Sequence, residues 1–308
     1  MKKFLPLLGI CVLVAACAGA GTATPSPAPA TPSASPTPSP TPAVSPGYVV
    51  ATGPDKLILR IATAGGFIRP DAALTALPEF ALFGDGRVIV PGPIPTISPA
   101  PLLPSVLVMQ ITPAEIQKVV AAADKAGLLG PDTSYGPVRP VGIADTGSAD
   151  FTTVVDGKVH RITAAALSPS GDVGGGSDPA VDAARAKLAH FWSEVSNLPA
   201  FLGRTIEDTQ AYVPAGMRVF LTDAGPADPA QPTGRSLAWP LADPAKTGQQ
   251  TLVPGTVCVA VTGGDLASFL AAAGKAGSDT VWTFGTARYD AAVRPLYPNE
   301  TGCAGGSL

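Results

Sequence analysis

The chain has 308 residues, of which 46% are hydrophobic and only 14% charged, with 34 Gly, 35 Pro and a formal charge of −3. That length suits one or two domains and is ample for a real core, while the charge content lies well below the usual quarter or so of residues. No basic patch interleaved with aromatics exists and the balance is mildly acidic, which argues against nucleic acid or anionic headgroups as partners. Lys is scarce beside Ala, Gly, Pro, Val and Thr, the bias expected of a GC-rich bacterial genome.

In chain order, Met1-Lys2-Lys3 is a positive start, and Phe4 to Val14 is an apolar run of eleven residues, too short to span a bilayer. The run leads into Leu13-Val14-Ala15-Ala16-Cys17. An aliphatic residue, small residues and then Cys at this place resemble the lipobox of bacterial lipoproteins. The resemblance implies that residues 1–16 are a cleaved signal peptide and that Cys17 carries a diacylglyceryl thioether. Cys suits that role because a thiolate can be alkylated where a hydroxyl cannot compete. Two or three palmitate-type chains give a firm anchor where one would be marginal. The expected location is the cell membrane, lipid-anchored, on the extracytoplasmic side. With Lys2 and Lys3 gone, 18 basic residues face 23 acidic ones, a charge of −5.

Residues 17–54 continue the anchor as a tether. From Ala18 to Pro54 no residue is charged, and Pro25, Pro27, Pro29, Pro32, Pro36, Pro38, Pro40, Pro42 and Pro46 recur among Ser, Thr and Ala. Such a segment cannot bury enough apolar surface to fold, and Pro holds it in extended polyproline II. At roughly 3.1 Å per residue, about thirty residues reach about 90 Å. This predicts a disordered spacer between membrane and body, with Ser and Thr open to O-glycosylation.

The body opens with a strand over 57–63, then a hairpin over 79–90 turning at Asp85-Gly86. A Pro-rich loop (91–104) leads to a strand at 106–111. Thr112 then caps a helix with Pro113 at its first position and Glu115 placed for a capping box. Ile116, Val119, Val120 and Ala123 recur at helical spacing, and Gly127 supplies a left-handed stop. A second Asp-Gly hairpin covers 151–163. Asp178 caps a long helix with the stripe Val181, Ala184, Leu188, Phe191, Val195 and Leu198. Strands follow at 217–222 and 256–261, then a helix with Leu266, Phe269, Leu270 and Ala273 as its stripe. That helix repeats the pattern of the first, with Thr262 as cap and Asp265 in the acidic place. Segments 281–284 and 288–293 form a hairpin matching the one at 151–163.

Strands and helices do not alternate strictly. This predicts an α+β fold of antiparallel sheets with packed helices, in two related strand–helix–hairpin lobes, 55–204 and 205–308. The loops around 64–78, 91–104 and 223–255 are the natural places for binding.

Once Cys11 leaves with the leader and Cys17 is acylated, Cys258 and Cys303 remain, and two Cys in an exported protein are expected to pair. The stretch Gly142-Ile-Ala-Asp145-Thr146-Gly147 resembles the Asp-Thr/Ser-Gly motif of aspartic peptidases, and Phe201-Leu-Gly203-Arg204 lies where retroviral-type members carry an apolar-apolar-Gly-Arg run. The resemblance implies Asp145 as a catalytic acid or base sharing a proton with a second Asp. No second copy of the motif exists here, so a homodimer would be required, and an Asp/Gly/Ser turn before a strand accounts for the same letters. Ser170 to Asp178 faintly resembles a calcium loop but lacks the ligand count. His160 and His190 stand without metal-ligand spacing. Trp192, Trp239 and Trp282 suit core packing or a stacking surface. No cofactor or metal is expected. The body otherwise resembles, in a general way, secreted and envelope proteins of GC-rich bacteria with no assigned activity. The expected role is a non-enzymatic module binding an envelope protein, peptide or glycan; the alternative is the Asp145 peptidase.

Overall fold

The computed structural model describes residues 47–136, 146–172, 178–227 and 235–304. In chain order the elements are β1 (Leu57–Ala64), α1 (Pro70–Thr75), β2 (Phe80–Phe83), β3 (Arg87–Pro91), β4 (Val106–Gln110), α2 (Pro113–Lys125), β5 (Thr133–Tyr135), β6 (Ser148–Val155) and β7 (Lys158–Ala165). A small ribbon, β8 (Leu167–Ser168) and β9 (Gly171–Asp172), precedes α3 (Pro179–Ser196) and α4 (Leu198–Leu202). Then come β10 (Gln210–Ala211), β11 (Gly216–Asp223), β12 (Ser236–Ala238), α5 (Pro244–Thr247), β13 (Gln249–Gln250), β14 (Thr256–Thr262), α6 (Gly264–Ala273), β15 (Val281–Phe284) and β16 (Ala287–Pro295). The fold is α+β, with two mainly antiparallel sheets and their helices.

The first sheet runs β10-β4-β3-β2-β1-β6-β7-β5 and the second β12-β15-β16-β11-β14-β13. Among the described residues, the one parallel pairing in each is a short edge strand against a hairpin: β5 on β7 and β12 on β15. The order of elements repeats as strand, helix, hairpin, but the strand order does not. Beside the central β1 lies β6, the first arm of its hairpin, whereas beside the central β11 lies β16, the second arm. The strand before α2 stands three places from β1, because the β2–β3 hairpin is inserted between them.

The hairpin at 151–163 forms with the expected two-residue turn: Val155 faces Lys158, and Asp156 and Gly157 both take positive φ (53° and 71°). That is the type I′ geometry that Asp-Gly favours. The Asp85-Gly86 turn differs. Three residues, Gly84 to Gly86, bridge β2 and β3, with the Gly86 amide donating to the Phe83 carbonyl. Gly84 cannot carry a side chain, because a Cβ there would collide with the carbonyl of Ala51.

Helix α2 has the predicted ends. Thr112 Oγ1 accepts from the Glu115 amide at 3.3 Å, and Glu115 Oε2 accepts from the Thr112 amide at 2.8 Å. At the other end Gly127, at φ 92°, allows a Schellman closure in which the amides of Gly127 and Leu128 reach the carbonyls of Asp124 and Ala123. Its stripe Ile116, Val119, Val120 and Ala123 is buried. Helix α6 departs from the expectation at its start. Thr262 is still paired with Gly216 in the sheet, so its backbone cannot cap; Gly263 does, at φ 58° and ψ −133°, a region nearly reserved for glycine, and no side chain caps the helix. The helix over 179–198 also divides. Asp178 caps it as predicted, but Pro199 lacks an N–H and its ring would meet the preceding turn, so α3 ends at Ser196 and α4 restarts at Leu198.

Two cores result. Ile58, Leu59, Ile61, Phe80, Leu82 and Phe151 of the first sheet bury against α2 and α3, with Trp192 edge-on to Phe151 at 6.0 Å. Met217, Val219, Leu221, Val259 and Val261 bury against α6, where the rings of Phe269, Trp239 and Trp282 lie 5.8–6.2 Å apart, Phe269 stacked on Trp282 and Trp239 edge-on to Trp282. The other face of β2 is covered too: Ala81 and Phe83 pack with Ile89, Val106 and Tyr297. This is why β2 reads as a continuous apolar run rather than an alternating one. Each fully buried side chain of this size contributes about 1.5–3 kcal/mol.

The sheets interlock. Gln210 and Ala211 add an edge strand to β4, and Tyr212 donates to the Leu296 carbonyl at 2.8 Å. In the other direction Leu102 and Leu103 of the Pro-rich loop pack on the second core, while the Leu102 amide reaches the Ala276 carbonyl and the Ser278 amide that of Ala100. The Cys258–Cys303 disulfide forms, with Cα atoms 5.9 Å apart, and joins β14 to the C-terminal tail.

Candidate functional site

Where α2 and α3 lie side by side they leave a groove of about 550 Å³. Helical spacing builds both walls. Lys118 and Lys125, two turns apart, stand on the exposed edge of α2, with Ala121 and Ala122 half-buried between them. From α3 come Lys187, His190 and Glu194, and the floor is Phe191, Ala126 and Phe201 of α4. Small residues on α2 keep the groove open, because Ala cannot fill the space that a Leu or Met would. The outcome is an apolar trough edged with cations. Among the described residues none of the three lysines forms an ion pair, and His190 Nε2 lies 3.5 Å from Glu194 Oε1 on the next turn.

A charged clamp fixes the first turn of α2. Arg204 Nε and Nη2 donate to Glu115 Oε1 and Oε2 at 2.5 and 2.9 Å, on the same carboxylate that closes the capping box. The Arg204 guanidinium, followed by the Thr112 amide, holds the Glu115 carboxyl down at about 2. Arg185 of α3, fully buried, donates to the carbonyls of Gly136 and Ala165 at 3.0 and 2.6 Å and ties α3 to the end of β7. In the second half, Glu300 accepts from Arg294 at 2.7 and 2.8 Å and from the Tyr297 amide at 3.0 Å, with Arg218 at 3.8 Å. Sequence reading placed Glu115 in the capping box but not its pairing with Arg204, and it missed Arg185 and the Glu300 cluster. Arg185 left a signal, a charged residue inside an otherwise apolar helical stripe.

Cys17, Asp145 and residues 173–177 of the Gly-rich loop lie outside the described residues. The Phe201–Arg204 run, however, is occupied structurally. Phe201 floors the groove, Leu202 is buried, Gly203 closes α4 in the left-handed region, and Arg204 clamps Glu115. Asp150 sits on β6 and accepts from Thr163 Oγ1 at 2.8 Å. The three Trp are core residues, each at most 5% exposed, and they do not share one surface; Trp192 alone borders a surface concavity. His160 is tied to the Gly130 carbonyl at 2.8 Å, while His190 belongs to the groove. Among the described residues no group of three His, Cys, Asp or Glu could hold a metal ion, and no helix is long and apolar enough to cross a membrane. Of the three loops singled out for binding, 91–104 is used in packing, as the contacts of Leu102 and Leu103 show. Comparison with protein-family models, curated proteins and solved structures gives no match.

Proposed function

We propose that this chain is a lipid-anchored binding protein of the cell envelope, not an enzyme, held on the extracytoplasmic side through acyl chains on Cys17 and raised from the membrane by its Pro-rich tether. Its α2/α3 groove receives an acidic amphipathic helix of an envelope protein. One observation carries this reading: three of the seven lysines outside the leader gather on one apolar trough of a chain whose overall charge is negative. A trough between two helices takes a third helix by its apolar face, and the cationic edges select acidic flanks. The disulfide supports an oxidising compartment, where such bridges persist.

The test is crosslinking in cells with Cys17 intact, comparing the natural chain with Lys118→Glu, Lys125→Glu and Lys187→Glu combined. The partner captured by the natural chain should disappear from the variant, and its binding in solution should weaken with added salt. Capture of the same partner by both proteins would remove the groove as the binding site. Purification of the natural chain from the cytosol with its leader uncut would remove the anchor.

A further inference from the structure

A second concavity of about 610 Å³ opens where β1, β3 and β4 meet the end of α3 and α4. Its walls are apolar, with Val90, Met109, Trp192, Leu198 and Pro199 prominent among them. One carboxyl enters it, that of Glu79, just ahead of β2. The Glu79 amide is tied to the Ile61 carbonyl at 2.9 Å, and Thr63 Oγ1 donates to Glu79 Oε1 at 2.7 Å. The other oxygen, Oε2, is buried and has no hydrogen-bond partner among the described residues. Among the described residues no Lys, Arg or His lines the concavity, and Glu79 is its one titratable side chain.

Folded proteins seldom leave a carboxyl oxygen buried and unmatched, because the desolvation is not repaid. Here the group is positioned by a neighbour's hydroxyl, yet among the described residues no cation answers its charge. Burial accordingly pushes the Glu79 carboxyl above its ordinary value. We propose that this cleft binds a small organic cation, its ammonium or guanidinium head on Glu79 and a compact apolar body against Met109, Trp192 and Leu198. The sign follows from the single acid and the missing base; the body follows from the walls. The terminal torsion of a glutamate is soft, so a partial rotation turns the buried oxygen toward the head group. Because the ligand favours the ionised carboxylate, affinity rises with pH through the carboxyl's raised range while the ammonium stays protonated.

The test uses the full-length protein and two probes of one shape, 2-phenylethylammonium and 2-phenylethanol, followed by the NMR signal of the Trp192 indole N–H. The ammonium should shift that signal saturably and bind about tenfold more weakly to Glu79→Gln, while the alcohol should not distinguish the two proteins. The natural protein gives an independent measurement, since acidification to about pH 3 should erase its preference for the ammonium. Equal binding of both probes, an unchanged ammonium affinity in Glu79→Gln, a preference that survives acidification, or no indole shift with either probe would each overturn the proposal. The lysine groove shares no lining residue with this cleft, so its charge-reversed variant should bind the ammonium as the natural chain does.

Discussion

Replacing Cys258 and Cys303 together by Ala tests what the C-terminal tail does. The bridge closes a loop across a sequence separation of 45 residues. Loop-closure entropy for that length gives about 4 kcal/mol, with measured bridges spanning about 2–4. A second contribution follows from the tail's own contacts. Arg218, only 3% exposed, donates through Nε to the Gly302 carbonyl at 2.8 Å and through Nη2 to that of Ala304. If the tail frays, those two acceptors leave a buried guanidinium with Glu300 alone, and an unmet buried donor costs about 1–3 kcal/mol. Part of that loss is recovered as water enters, so the expected total is about 3–5 kcal/mol. At about 2–4 °C per kcal/mol for a body of this size, Tm should fall by roughly 10 °C. Guanidinium chloride unfolding followed by Trp fluorescence reads this as a lower midpoint, with a somewhat steeper slope because the uncrosslinked unfolded chain exposes more surface. Ala is preferred to Ser because Cys258 is buried, where a new hydroxyl would add its own cost. A loss under about 1 kcal/mol would refute both the entropic reasoning and the role assigned to the tail.

Two further outcomes concern stability. Glu115 titrates at about 2 in the folded chain against an ordinary 4.5, so the folded state binds fewer protons and the clamp stabilises fully above the higher value. That stabilisation should be lost as pH falls toward the lower value. With Arg204 39% exposed, screening reduces it to about 1 kcal/mol, and Glu115→Gln should flatten the acid limb of a Tm-against-pH curve by that amount. Phe269→Ala removes the ring that bridges Trp239 and Trp282 and should cost about 3–5 kcal/mol by denaturant unfolding, with a marked change in near-ultraviolet circular dichroism.

What the letters revealed was mostly local. Thr112, Pro113, Glu115 and Gly127 announce α2 because caps and stops act within one turn. Asp156-Gly157 announces its hairpin because only such residues take two successive positive φ values without strain. The failures are equally physical. Thr262 offers the same cap as Thr112, but ladder pairing with Gly216 takes its backbone first. The strand order was illegible, since the inserted β2–β3 hairpin and the reversed second hairpin depend on partners far along the chain. The groove was hidden for the same reason. Lys118 and Lys125 lie on one helix and Lys187 on another about sixty residues later, and only the packing of α2 on α3 brings them together. The clamp joins residues 89 apart, and nothing near Glu115 or Arg204 foretells the other.

The crossing of the Pro-rich loop onto the turn after α6, and of Gln210 and Ala211 onto β4, has a consequence for how such a chain can change. Each half keeps a piece of the other's wall, so damage to one is felt as damage to both. Likeness between the halves, whatever its origin, is therefore no licence to trade one for another copy: recombination that cut between them would deliver two open halves, and selection must judge them as a single heritable piece.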